Sequence, residues 1–431
     1  MTQIRDIPRQ RPLARVGALL SARRGLLRDY FAAMSGAAGR LVFSLIYFVA
    51  LANTLSISDF GLFATASAAG VMLSRILAFG FISALYRTAT IRPNLIGVFT
   101  AGFLALALAS LPILAAASYL VYLLFFANEL ALSIFAMVVL AEALFWRPFE
   151  TVIIVNNGLG RFGRAAGLTI FGTLLRATGA AVFWFQPEST LSTWAGIYVF
   201  VNLLAVIVGF GFFYPRQRLR FRAALYRRRL ADSLYVAGAE VLFYLQMEFD
   251  KLLVLALGGP TLAGIYAIVM RLVDLTAIPI RTFSMMLVQR MMRAPEMLSR
   301  LPIRIGIEAG IFVVSTAALF CLAVVLYFFP AALGRNVAQA ASLIGLALCI
   351  PGLRNLVEYQ AELLFARGQT LIRAVNLALL AGAKGVFMVG VMSRSVDTEG
   401  FIWSLNAVFI GLYILSTALT YAALRRPAKP V

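Results

Sequence analysis

The chain has 431 residues, 62% of them hydrophobic and 13% charged, with a net charge of +20 and no histidine; its mean hydropathy is +0.90. Soluble domains are about half apolar, so the composition excludes a soluble enzyme and a nucleic-acid binder, whose basic residues sit on a polar surface. Without histidine there is no histidine metal site, general base or proton relay. Cys321 and Cys349 stand in apolar runs with no CxxC or zinc spacing and read as small buried hydrophobes.

The chain opens on a basic stretch, 1–30, with Arg5, Arg9, Arg11, Arg15, Arg23, Arg24 and Arg28 interleaved with leucines. It lacks the cleavage site of a signal peptide. It reads either as an amphipathic helix on an anionic leaflet or as a basic tail that sets topology. A helix needs about 20 apolar residues to cross a bilayer. Apolar segments follow at 31–54, 61–83, 95–125, 130–156, 165–185, 192–214, 231–257, 262–287, 304–329, 337–365, 371–393 and 400–424. The long segment 95–125 contains Pro112 and is kept as one tilted helix, because dividing it destroys the charge alternation.

That alternation sets the orientation. The two tails and the even-numbered loops hold 27 of the lysines and arginines, seven of them in the loop 215–230; the odd-numbered loops hold Arg335 and Arg394. Cations collect on the cytoplasmic side, so both termini are expected there. The predicted fold is all-α and integral to the membrane, with twelve transmembrane helices. The basic loop at 215–230 divides it into two six-helix pseudo-symmetric lobes, 31–214 and 231–424, followed by a tail at 425–431.

Nine cations and nine acids remain inside the spans. Each costs several kcal/mol against lipid, so as a set they predict a polar pathway. Glu308 and Glu362 fall near the cytoplasmic edge, where little role is expected of them. Arg271 and Asp274, three apart, are expected to neutralise each other. In the seventh span, at about 3.6 residues per turn, Glu240, Tyr244, Met247 and Lys251 share a face. Glu248 flanks it, in reach of a Lys251 pair, and Asp250 points to the other side.

The two halves echo each other. Asp59-Phe60-Gly61-Leu62-Phe63-Ala64 enters the second span as Ala263-Gly264-Ile265-Tyr266-Ala267 enters the eighth. Arg147-Pro148-Phe149-Glu150 in the fourth span has its counterpart in Pro351-Gly352-Leu353-Arg354 with Glu358 in the tenth. Paired, proline-interrupted segments point to a transport site between repeats.

With Arg40 in the first span, Ser58-Asp59-Phe60-Gly61-Leu62-Phe63, Arg75-Ile76-Leu77-Ala78-Phe79-Gly80-Phe81, Asn157-Gly158-Leu159-Gly160-Arg161-Phe162 and Phe249-Asp250-Lys251-Leu252-Leu253, the sequence resembles the Wzx-type polysaccharide flippases of the MOP superfamily over nearly all of 31–424. The resemblance implies two lobes in a V around a central cavity, in a bacterial inner membrane. It also implies ion-driven translocation of an undecaprenyl-pyrophosphate-linked oligosaccharide, with polysaccharide polymerase and chain-length machinery as partners and no cofactor. On that reading Arg40, Arg75, Arg147, Arg271, Arg354 and Lys251 are the expected substrate contacts, since arginine forks suit a pyrophosphate. Glu150, Asp250 and Glu358 are the expected ion-coupling acids. A small-molecule exporter of the same superfamily is the alternative. A membrane polymerase or glycosyltransferase fits less well, because the external loops are a few residues long. Direct ATP drive is not expected, since no nucleotide-binding loop is present.

Overall fold

The computed structural model describes residues 39–293, 301–394 and 397–425, and among these every regular element is helical. The basic segment 1–30 and the tail beyond Arg425 lie outside the described residues.

In chain order the helices are α1 (Gly39–Thr54), α2 (Ile57–Leu73), α3 (Ile82–Ile91), α4 (Ile96–Phe125), α5 (Leu132–Gly158), α6 (Phe162–Trp184) and α7 (Leu191–Phe213). A single helical run, Ala223–Arg293, then breaks at Gly259 (φ 75°), dividing it into α8 (223–258) and α9 (260–293). The second half continues with α10 (Leu301–Phe328), α11 (Arg335–Ala347), α12 (Ile350–Ala366), α13 (Thr370–Met392) and α14 (Thr398–Leu424). Among the described residues nine helices are long and apolar enough to span a membrane, or ten when α11 and α12, bent by 66°, count as one. The break at Gly259 adds one more, and the shorter apolar α1 completes twelve segments at the predicted places. The protein is a multi-pass membrane protein.

Local chemistry explains the ends. Ser56 caps α2: its Oγ accepts from the Asp59 N–H at 3.0 Å and donates to the Asp59 carboxylate at 2.7 Å. Proline sits in the first turn of α12, where its missing N–H costs nothing. The segment 95–125 forms one helix in spite of Pro112. In α5, the ladder widens to a π-turn over Ala141–Trp146, just before Arg147-Pro148; Pro148 lacks the N–H that a regular ladder would use.

Three features depart from the sequence reading. First, α8 begins at Ala223, inside the basic loop. Arginine is a good helix former, and the Tyr226 hydroxyl anchors this turn by donating to the Val98 carbonyl at 2.7 Å. Second, Cys321 is exposed and Cys349 partly so; an apolar residue facing lipid needs no burial in protein. Third, the second span does not run through. Between α2 and α3 the chain passes through a 3₁₀ segment, Ser74–Gly80, in which Ala78, Phe79 and Gly80 all have positive φ (55°, 49° and 71°). Ala78 and Phe79 are the non-glycine residues of this kind among those described. Such conformations cost about 1–3 kcal/mol each. The freed Ala78 N–H is satisfied by Ser110 Oγ on α4 at 3.0 Å, and a side chain at Gly80 would collide with the Ser233 carbonyl on α8.

The two halves meet closely at the end of the bundle opposite the basic loops. A Cβ on Gly61 would come within 2.4 Å of Gly264 N, and one on Gly264 within 2.0 Å of the Ile57 carbonyl. The two glycines matched between the halves by sequence thus touch each other. Beside them, Asn336 Nδ2 donates to the Ala52 and Leu55 carbonyls at 2.7 and 2.8 Å, and Asn53 Nδ2 to the Leu333 carbonyl at 2.8 Å. Gly264→Val is therefore expected to destabilise the fold by about 3 kcal/mol or more, since backbone cannot yield to the added carbons. The thermal midpoint of the detergent-purified variant checks this; an unchanged midpoint contradicts the close approach.

Candidate transport site

Between the halves lies a cavity of about 330 Å³ walled by α1, α2, α5, α6, α7, α8 and α9. Its cations are Arg40, Arg75, Arg176, Lys251 and Arg271, and its acids are Glu142, Glu150, Glu248 and Asp274. Tyr47, Trp146, Tyr198 and Tyr244 supply aromatic surface between them.

Most of these charges are already committed. Glu150 Oε2 accepts from Arg75 at 3.2 Å and from Arg147 at 3.0 Å. Arg147 also reaches across to Glu240 of α8 at 2.6 Å, and Arg75 stacks over the Tyr244 ring at 4.1 Å. These contacts tie α5 and the 3₁₀ segment after α2 to α8. On the opposite wall Arg176 donates to Glu142 at 3.1 Å and to Asn202 at 2.8 Å, with Trp146 stacked at 3.7 Å. Glu142, 1% exposed, also accepts from Ser67 at 2.8 Å and from the Tyr198 hydroxyl. Lys251 pairs with Glu248 at 2.5 Å. Asp274 pairs with Arg354 of α12 at 3.3 Å.

Arg40 and Arg271 are different. Among the described residues neither has a carboxylate within 4.0 Å. Arg271 donates to Ser44 Oγ, and Arg40 lies one helical turn before Ser44 on the same face of α1. Two guanidinium groups, one from each half, thus flank Ser44 in a cavity whose other cations are paired. An arginine fork without a carboxylate is a ready receptor for a carboxylate or phosphate group of a ligand.

No protein-family model matches the chain, and no curated protein matches it. Solved structures do. The MATE multidrug transporter DinF-BH, determined as a ligand complex, is similar over 91% of this chain and 94% of its own, with a TM-score of 0.60 at 15% identity. A mutant form of the Vibrio cholerae MATE transporter VcmN covers 94% and 97%, with a TM-score of 0.57 at 14% identity. The chain has the MOP-transporter fold. A MOP-superfamily transporter from Pyrococcus furiosus, described as having a binding pocket of reverse polarity that suggests a different function, also shares it, covering 92% and 93% with a TM-score of 0.52 at 13% identity.

In this MOP-transporter framework the residues singled out by sequence fall into two groups. Arg40, Arg75, Arg271, Lys251 and Glu150 line the central cavity. Arg147, Arg354, Glu358 and Asp250 do not. Arg147 stands behind Glu150. Arg354 is buried between Asp274 and, at 3.9 Å, Glu358. Asp250, 1% exposed, is held by Lys384 of α13 at 3.0 Å and by the Tyr266 hydroxyl. Asp274 therefore neutralises Arg354 rather than Arg271, because α12 packs closer to it than its own helix neighbour reaches. The Glu142–Arg176–Asn202 set was not singled out. Both charges stand in apolar spans, but nothing in their spacing shows that α5 and α6 bring them together.

Proposed function

We propose that this protein is a secondary exporter with the MOP-transporter fold that carries a small organic anion through the central cavity by alternating access. The observation that carries the reading is the uncommitted Arg40–Arg271 pair, contributed by the two halves and therefore able to draw them onto a bound anion. The size of the cavity supports it: small-molecule sites run from about 300 to 1,000 Å³, enough for a modest anion or a head group and too small for a whole oligosaccharide. The likeness to multidrug transporters favours small-molecule export. The motifs shared with polysaccharide flippases favour a second reading, in which the anion is the pyrophosphate of a lipid-linked oligosaccharide whose sugars extend out of the cavity.

Reconstituted vesicles separate the two. Uptake of fluorescent organic anions, but not of cations of equal size, is the expected result for the exporter. Movement of a lipid-linked pyrophosphate between leaflets, with no flux of soluble anions, would replace it with the second reading. Flux of cations alone would overturn both.

A further inference from the structure

Each acid expected from sequence to couple ion flow is matched by a cation: Glu150 by Arg75 and Arg147, Asp250 by Lys384, Glu358 by Arg354. Glu308 is not. It projects from α10 into the second half, near the basic end and away from the central cavity, and no described cation pairs with it. Its carboxylate is held by neutral donors: Tyr413 at 2.9 Å on Oε2, and Gln360 at 3.2 Å together with the Tyr421 hydroxyl on Oε1. Gln360 is 0% exposed. Its amide nitrogen also donates to Thr417 Oγ1 at 3.0 Å, while its own Oε1 is buried without a hydrogen-bond partner. Arg304, stacked on the Tyr421 ring at 4.4 Å, and Tyr359 are the other titratable groups that face this pocket.

We infer that Glu308, with Gln360, Thr417, Tyr413 and Tyr421, forms a site for a hard monovalent cation, a sodium ion or a proton, in the second half of the protein. An anionic carboxylate inside a bundle that spans a membrane is costly without a positive partner. Here every group that bonds to it is neutral: two tyrosine hydroxyls and the Gln360 amide. Turning over the Gln360 amide brings its orphaned carbonyl oxygen beside Glu308 Oε1, Thr417 Oγ1 and the Tyr421 oxygen, a set of oxygen ligands suited to a hard cation. For a proton, the same turn lets the carbonyl accept from the protonated carboxyl. The site joins α10, α12 and α14, so its occupancy alters packing in this half whatever the central cavity carries.

The test uses the full chain in lipid nanodiscs without substrate. Sodium chloride is titrated against choline chloride at equal ionic strength, and carboxyl protonation is followed by infrared difference spectroscopy. If sodium is the ligand, it raises the thermal midpoint and releases a proton; Glu308→Gln abolishes both, and Thr417→Val, which keeps the carboxylate, weakens sodium by more than about tenfold. If the proton is the ligand, sodium is without effect and the native protein shows a protonated-carboxyl band. That band vanishes in Glu308→Gln and shifts in frequency in Tyr421→Phe. Should Glu308→Gln fail to fold, Thr417→Val and Tyr421→Phe decide the matter. The inference is overturned if sodium is without effect and the native protein shows no protonated-carboxyl band that Glu308→Gln removes.

Discussion

Glutamine at both Arg40 and Arg271 is expected to abolish anion transport while leaving the fold as stable as before, or more so. The two arginines face one cavity from opposite halves with no carboxylate beside them among the described residues, so in the empty protein they repel each other and gain little. On a bound anion each supplies charge-assisted hydrogen bonds of about 1.5–3 kcal/mol, or about tenfold to a hundredfold in affinity apiece. The double variant should therefore lose at least about a hundredfold in transport efficiency at an unchanged or raised thermal midpoint. Arg176→Gln gives the opposite pattern. It leaves Glu142, at 1% exposure, with its two neutral donors and no cation, and stability falls. Vesicle flux and thermal unfolding, measured on the same preparations, separate the two behaviours.

The largest effect on stability is expected at Asp250 and Lys384. Both are almost wholly buried, 1% and 2% exposed. The ammonium donates to the Gln246 carbonyl at 2.8 Å and contacts Asp250 at 3.0 Å. Removing one partner strands the other charge in the bundle, at about 3–5 kcal/mol. Lys384→Met or Asp250→Asn alone should thus abolish well-folded protein or sharply lower its midpoint. The double variant Asp250→Asn/Lys384→Met should recover most of the loss, because removing both ions also removes their desolvation cost. Fluorescence-detected gel filtration after heating reads this directly. Losses that simply add in the double variant would show that the pair is not what ties α8 to α13.

These residues also show how far the sequence carries. Helical periodicity in the seventh span puts Glu240, Tyr244, Met247 and Lys251 on one face, with Glu248 flanking it and Asp250 on the other side; in the structure Tyr244, Glu248 and Lys251 line the cavity, Glu240 and Met247 do not, and Asp250 meets Lys384. The Lys251–Glu248 pair follows from the same local geometry. Twelve apolar segments are legible because lipid exposure writes itself in residue order, and Gly61 and Gly264, matched in the sequence, meet in the structure. The partners that cross between helices are not. Lys384 meets Asp250 from a helix far along the chain, and Arg354 takes Asp274 from Arg271, because helix packing rather than spacing decides which charges meet. The broken second span is equally hidden. Arg75-Ile76-Leu77-Ala78-Phe79 contains no proline, and only Gly80 hints at a turn. The left-handed Ala78 and Phe79 are imposed by Ser110 on α4 and by the close passage of α8.

Equilibrium binding of inorganic pyrophosphate to the purified protein tests the central cavity most directly. The native protein is expected to bind it with an affinity that falls as salt is raised, and the Arg40→Gln/Arg271→Gln variant is expected to bind at least about a hundredfold more weakly, as two lost charge-assisted contacts require. Equal binding by the two proteins would contradict an anion site at Arg40 and Arg271.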